Sequence, residues 1–377
     1  MPQQSGFHSL ILEGMLRYIR PAHRWRLVGR GAFPGIVERL ADVELDGVLG
    51  HLSHMDVAEE LMGLGVPVVN TSGRTPGRGT VHLGIDEAAV GRMAAEHLMG
   101  LGLTQFAVLG SVRIPFSAER GDAFAESCGK CAQADVHRFY LDVADPFDPC
   151  SEAIREQSDD RVTEWLERLP KPVGLLVTDP GYADRTADLC RIAKIAVPEE
   201  IAMIAGHQND IIAKLSWPPI SSVQLPLRKL GYLAAAALDD LMHGRSPEAS
   251  QVLKPVGVSV RKSSDVIAMA DSRLAKAVAM IREEACLGLS VEDVLDRLEI
   301  SRSLLDRLFR EVLGRTTFAE IRRVQIETAK QLLAETDKTM DKIALQCGFS
   351  GPVRFSSAFK HECGLSPSDW RRQFRYD

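Results

Sequence analysis

Ala344-Leu345-Gln346-Cys347-Gly348-Phe349-Ser350, followed by Phe355, Phe359-Lys360, Gly364, Ser366-Pro367 and Trp370-Arg371-Arg372, is the most densely patterned stretch of this 377-residue chain. Ile343, Ala344 and Cys347 fall on one face of a short helix, Gly348 can turn the chain at positive φ, and Phe349 fills the corner that results. Ser350 or Gly351 then caps a second helix, with Pro352 in its first turn, where a missing N–H is harmless. Phe355, Ala358 and Phe359 line the inner face of that helix and leave Val353, Arg354, Ser357 and Lys360 turned outward. The pattern is a helix-turn-helix, which presents its second helix to the major groove of DNA.

About fifty residues upstream the arrangement recurs. Val291, Val294, Leu295 and Leu298 make one helix face, Ile300-Ser301 turns the chain, and Leu304, Leu305, Leu308, Phe309 and Val312 line a second helix that stops at Gly314. Arg302, Ser303, Asp306, Arg307 and Arg310 point away from that core. Between the units, at about 290–314 and 339–364, Phe318, Ile321, Val324, Ala329, Leu332 and Leu333 keep a helical period. One connecting helix could hold two heads in groove segments about one DNA turn, ~34 Å, apart.

This pair closely resembles the DNA-binding domain of the AraC family of transcription regulators, from roughly Leu274 to Phe374. The resemblance implies that 301–313 and 351–362 are recognition helices. It places Ser303, Asp306 and Arg307 of the first, and Val353, Arg354 and Ser357 of the second, at base-facing positions, with Arg302 and Lys360 beside them. Arginine can pair with the guanine edge, while aspartate accepts from cytosine and is repelled by phosphate. Arg307 and Arg354 are therefore expected to read bases, and loss of the Asp306 carboxylate to relax sequence preference.

Charge alone does not lead to DNA. The chain is net −6, but from Asp271 to Asp377 it carries 18 Lys and Arg against 17 Asp and Glu, leaving 27 against 34 upstream. From Lys338 to Arg375 the balance is 7 basic to 3 acidic, so phosphate attraction should be stronger at the second unit. The length suggests two or three domains. No apolar run approaches the ~20 residues of a membrane span, and no charged-then-apolar leader opens the chain, which points to a cytoplasmic protein with no membrane partner. Seven scattered cysteines fit a reducing compartment without a disulfide framework.

Upstream, short apolar runs alternate with helical stretches. Trp25–Val28, Gly47–Leu49, Val66–Val69, Phe106–Leu109, Gly174–Val177 and Ala202–Ala205 are of buried-strand type, and Ala88–Leu101, Asp160–Leu169 and Ala183–Ile195 are helical. Such alternation gives parallel sheets covered by helices, with ligands at the carboxyl ends of the strands. Asp46-Gly47-Val48-Leu49, Gly65–Val69, Asp86 with Val90-Gly91-Arg92 and Glu96-His97-Leu98, Thr178-Asp179, Val197-Pro198 and Pro218–Val223 resemble the effector domain of LacI-type repressors. That resemblance implies an α/β, two-lobed, periplasmic-binding-protein-like domain over 1–265, exiting at Arg261–Asp265, followed by an all-α DNA-binding domain over 266–377. It also implies side-by-side pairing into a homodimer on double-stranded DNA.

Carried over by position, effector contacts fall on Asp86, Arg120, Thr178, Asp179, His207 and Gln208. A carboxylate accepts from two adjacent sugar hydroxyls and a guanidinium fork donates to two oxygens, which suits a small sugar-like effector. Where relatives have an Asp, His207 cannot accept in bidentate fashion. A protonated imidazole beside Arg120 would favour a sugar acid as pH falls. Lobes of this type begin with a central strand, yet Ser9–Met15 already reads as helix, so a start upstream of Met1 is expected to yield a more stable protein.

Other motifs are set aside. Gly29–Gly35 misses dinucleotide spacing by one residue, Cys128/Cys131 lack two further zinc ligands, and His51, His54 and Asp56 read as solvated. No metal, cofactor or catalytic residue is expected. The competing readings are a non-sugar ligand or none, a two-lobed solute-capture protein, and a zinc-bound cysteine methyl acceptor fused to the DNA domain.

Overall fold

The structure, a computed structural model, describes residues 5–22, 25–28, 43–51, 59–61, 63–72, 80–132, 136–142, 152–208, 210–247, 251–265 and 272–374. It divides into two compact units, one formed by 2–86 and 225–255, the other by 87–224 and 256–374. The chain thus passes between units three times, as the two-lobed pattern implies. The expected motifs at Gly29–Gly35, His54, Asp56 and the Cys131 side chain lie outside the described residues, as does the segment 266–271.

The first unit holds helix α1 (Ser5–Ala22), strands β1 (Val48–Gly50), β2 (Val68–Asn70) and β3 (Thr80–Ile85), helix α7 (Leu227–Met242) and β9 (Gln251–Leu253). Its sheet is fully parallel in the order β1-β2-β3-β9. Ile11, Met15 and Ile19 of α1 and Leu230, Ala234 and Leu238 of α7 bury their apolar faces with Val69 and Leu83. Among the described residues no strand flanks β1 on the side away from β2. Trp25–Val28, expected as a strand, has no regular structure: Trp25 packs near Tyr18, while Arg26, Leu27 and Val28 are exposed and pair with no strand among the described residues.

The second unit carries helices α2 (Glu87–Met99), α3 (Pro115–Ala132), α4 (Glu152–Arg168), α5 (Pro180–Ile192) and α6 (Asp210–Leu215) with strands β4 (Phe106–Ser111), β5 (Val136–Leu141), β6 (Val173–Val177), β7 (Ile201–Ala205), β8 (Ser221–Gln224) and β10 (Gly257–Ser259). The strand order is β10-β8-β7-β6-β4-β5, parallel except for β10 against β8. β6 and β7 are buried on both faces, which is why they read as unbroken apolar runs. No helix among the described residues is long and apolar enough to cross a membrane.

The same unit continues into α8 (Ser272–Glu284), α9 (Val291–Leu298), α10 (Arg302–Leu313), α11 (Thr317–Glu335), α12 (Met340–Gln346), α13 (Pro352–Cys363) and α14 (Pro367–Phe374). Helix starts follow the sequence: Ser290 forms a capping box with Asp293, Ser301 accepts from Leu304 N, Thr316 from Ala319 N and Thr339 from Lys342 N. In the second head Gly348 makes the turn at φ 76°, where a Cβ would stand 2.6 Å from Ala285 O. In the first head the left-handed residue is Glu299, φ 53°, one position before the expected Ile300-Ser301.

Each head has its own core. Val278, Ile281, Val294, Leu305, Phe309 and Ile321 fill the first. The second is built on Ile326, Ala329, Leu333, Phe355 and Phe359, and includes Val256 from the chain just ahead of β10. Helix α11 therefore belongs to both. Phe349, Phe355, Phe359 and Trp370 form successive T-shaped ring pairs at 5.3, 5.7 and 5.7 Å. Phe355→Ala is expected to destabilise the protein by about 3–5 kcal/mol, whereas the exposed Phe318→Ala should stay within about 0.5 kcal/mol; urea unfolding followed by circular dichroism measures both.

Candidate functional site

Three parallel strands of the second unit end in a row of polar residues: Ser111 at β4, Thr178-Asp179 after β6 and His207-Gln208 after β7. All five are buried. This is the carboxyl edge of the sheet, where open α/β folds bind ligands. Arg120 joins them from α3. Its Nε donates to Glu87 Oε2 at 2.6 Å, its Nη1 donates to Thr178 O at 2.7 Å, and the guanidinium stacks 4.3 Å from the Phe116 ring centroid. Gly206 makes this seat possible, since a Cβ there would lie 2.9 Å from Thr178 O and 3.1 Å from Arg120 Nη1.

Thr178 is tied down further. Its Oγ1 lies 2.6 Å from Ser117 Oγ, which accepts from Ser111 N at 2.8 Å. Asp179 caps α5 by accepting from Gly181 N at 2.8 Å, so part of its acceptor capacity serves the helix. In the first unit, Asp86 follows β3 and its N–H donates to Leu253 O at 2.9 Å. There too polar residues gather at strand ends: Asn70, the last residue of β2, and Thr71 after it are buried, and Thr71 Oγ1 is 3.4 Å from His51 Nδ1. His51, expected to be solvated, is packed against the rings of Phe7 and His8, and burial holds its pKa down to about 4.

Sequence reasoning missed Glu87, Ser111, Ser117, Asn70 and Thr71. Their only signal is position, a polar residue directly after or opposite a buried strand.

His207 departs from its expectation. Burial first, and then the neighbouring charge of Arg120, push its pKa from 6.5 to about 3, so the imidazole stays neutral instead of becoming a cationic anchor for an acid. His97, buried and within 2.8 Å of Ser264 Oγ, is likewise held at about 3. An unfolded chain takes up protons on these groups below pH 6.5, whereas the folded chain does not until about pH 3. Stability is thus lost as pH falls through that window. Each histidine contributes a slope of up to about 1.4 kcal/mol per pH unit. Urea titrations at pH 7, 6 and 5 should show a shallower acid loss for His207→Gln than for the parent; parallel curves would mean a solvated imidazole.

The two reading helices differ in how they hold their outward residues. On α13, Val353, Arg354, Ser357 and Lys360 are all exposed, and neither Arg354 nor Lys360 has an ion pair among the described residues. On α10, Arg302 is paired with Glu292, Ser303 Oγ lies 3.2 Å from Ser301 Oγ, and Arg307 is exposed with Glu311 at 3.9 Å. Asp306 does not stand with them. It is half-buried, and its Oδ1 accepts from Thr317 N at 3.3 Å and Thr317 Oγ1 at 3.1 Å, tying α10 to the start of α11.

A sheet lobe of this design, continuous with two helix-turn-helix heads, defines a ligand-responsive regulator of transcription that binds DNA. Residues 95–264 match the family described as periplasmic binding protein-like domain, and residues 294–373 the family described as helix-turn-helix domain. The chain is 28% identical to the xylose operon regulatory protein of Haemophilus influenzae over 96% of its own length and 94% of that protein. For the protein of that name from Escherichia coli K12 the figures are 27%, 96% and 93%. A solved structure described as the xylose-binding transcription activator xylR shares 25% identity at a TM-score of 0.57, covering 97% of this chain and 94% of that one. A periplasmic binding protein/LacI transcriptional regulator from Alkaliphilus metalliredigens, in complex with D-xylulofuranose, shares the fold at TM-score 0.56 and 15% identity, over 69% of this chain and 94% of its own. The two matched domains and the full-length relatives together support an AraC-family transcription regulator with a periplasmic-binding-protein-like domain ahead of its helix-turn-helix heads.

The geometry separates two substitutions. Arg354→Ala is expected to weaken binding to a specific site by about 1–3 kcal/mol and to random DNA little. Asp306→Ala should lower the melting temperature and weaken both kinds of DNA alike, because it loosens α10; a stable variant with relaxed sequence preference would return Asp306 to the base-reading set.

Proposed function

We propose that this regulator senses an uncharged sugar, a pentose in the first instance, and that the effector is held by the strand-end residues Arg120, Thr178, Asp179, His207 and Gln208. The observation that carries the reading is the state of Arg120. Its charge is already met by Glu87 and its Nη1 by Thr178 O, while His207 is neutral, so the second unit offers hydrogen-bond donors and acceptors without a spare positive charge. The relatives matched over nearly the whole chain are xylose operon regulatory proteins, which agrees with a neutral pentose.

The effector acts by binding one arrangement of the protein better than the other, which shifts the affinity of the heads for DNA. DNA contacts come from Arg302, Ser303 and Arg307 on α10 and from Val353, Arg354, Ser357 and Lys360 on α13. We take the working form to be a cytoplasmic homodimer. The exposed apolar side chains Ile211, Leu215 and Trp217, close together at α6, are the surface that supports pairing.

Calorimetry with xylose and xylonate at pH 7.5 and 5.5 tests the effector. Xylose should bind saturably and equally at both pH values, since His207 titrates only near pH 3, and Arg120→Lys should weaken it by about 1–3 kcal/mol. Tighter binding of xylonate, strengthening on acidification, would overturn the neutral-sugar reading.

A further inference from the structure

The second unit contains a partly open cavity of about 110 Å³ between the end of α2 and the helices of the first reading head. Three guanidiniums line it: Arg282 from α8, Arg315 from the α10–α11 turn and Arg323 from α11. Glu320 is the buried carboxylate among them. It accepts from Arg323 Nε at 2.9 Å and Nη2 at 2.6 Å, and lies 3.4 Å from Arg315 Nη1. Glu96 stands at the exposed rim, and Asp265 pairs with Arg282 Nη1 from outside the lining.

One buried carboxylate does not saturate three guanidiniums, each with five N–H donors. Arg282 Nε is buried with no hydrogen-bond partner. His97, on the sensor side of the space, is pushed in one direction by all three: burial is the main cause of its low pKa, and Arg323, Arg282 and Arg315 each lower it further. The interior therefore sets three guanidiniums against a single buried carboxylate and leaves one donor unused, which is the chemistry that binds phosphate or sulfate.

We propose that this space is a second regulatory site, for a small tetrahedral oxyanion, either inorganic phosphate or sulfate or the phosphoryl group of a metabolite. The location gives it a role. Arg315 Nη2 donates to Gly100 O at 3.1 Å, and His97 bonds Ser264, so the walls belong both to the sensor lobe and to the first head. An anion drawing Arg282 and Arg315 together tightens that junction beside Leu313, the last residue of reading helix α10. By linkage, the anion and DNA then alter each other's affinity by the same factor.

The test titrates the DNA-free full-length protein with inorganic phosphate, sulfate and a pentose phosphate against chloride at matched ionic strength, reading melting temperature and heat. A saturable rise with phosphate or sulfate, reduced at least tenfold in affinity by Arg315→Gln and by Arg282→Lys, is the expected result. A rise with the pentose phosphate alone assigns the site to a phosphorylated metabolite. If Arg282→Lys does not fold, Arg315→Gln, at a less buried position, decides. No saturable response, or variants that titrate like the parent, overturns the site. Specific-DNA affinity is then measured with saturating anion; a shift that persists in Arg315→Gln is competition at the reading helices and overturns the regulatory role, as does no shift at all.

Discussion

A guanidinium taken out of water must find acceptors, and Arg120 finds them in the Glu87 carboxylate and the Thr178 carbonyl. Much of the second unit's strand-end edge is arranged around that need. Gly206 stays without a side chain so that the guanidinium can approach, Thr178 is locked through Ser117 to the end of β4, and the charge so placed adds to the burial that keeps His207 neutral. Removing Glu87 would leave a buried cation half-compensated, and the polar row would have to rearrange to supply the missing acceptor. The charge of Arg120 is thus met by a residue that does not itself belong to the expected contact set.

The reading heads show a different solution to holding polar groups. On α13 the outward face is left open to its target, with the aromatic series behind it providing the rigidity. On α10 the cations are partly engaged by Glu292 and Glu311, and those pairs must loosen before a phosphate or base can replace them. The first head is therefore expected to attract DNA less strongly than the second, where the 7 to 3 excess of basic residues from Lys338 to Arg375 lies.

The helical heads were legible because caps, turn residues and apolar period all depend on local sequence, and Ser290, Ser301, Thr339 and Gly348 each do what their chemistry predicts. The turn at Glu299 was not, because a non-glycine residue in the left-handed region leaves no compositional mark. Strands β6 and β7 announced themselves through burial on both faces, while β5, with exposed His137 and Arg138, did not. Side-chain roles were the least legible. Asp306 and His207 were read by type, as an acceptor and a titrating base; Thr317 changed the first outcome, and burial, with Arg120 adding to it, changed the second. Arg120 itself was found by position in a resemblance; its partner Glu87, thirty-three residues away, could not have been.

Val256 belongs to the hydrophobic core of the second head, packed among Ile326, Ala329, Leu333 and Phe355, although it stands ahead of the strand that completes the sensor sheet. Burying a valine is worth roughly 1.5–3 kcal/mol. A cut placed in the segment between sensor and heads would leave a hole in one piece and a bare apolar strand in the other. The regulator is accordingly a poor candidate for shuffling: the heads are not a detachable cassette, and a chimera that keeps them with a foreign sensor must also keep the residues around Val256.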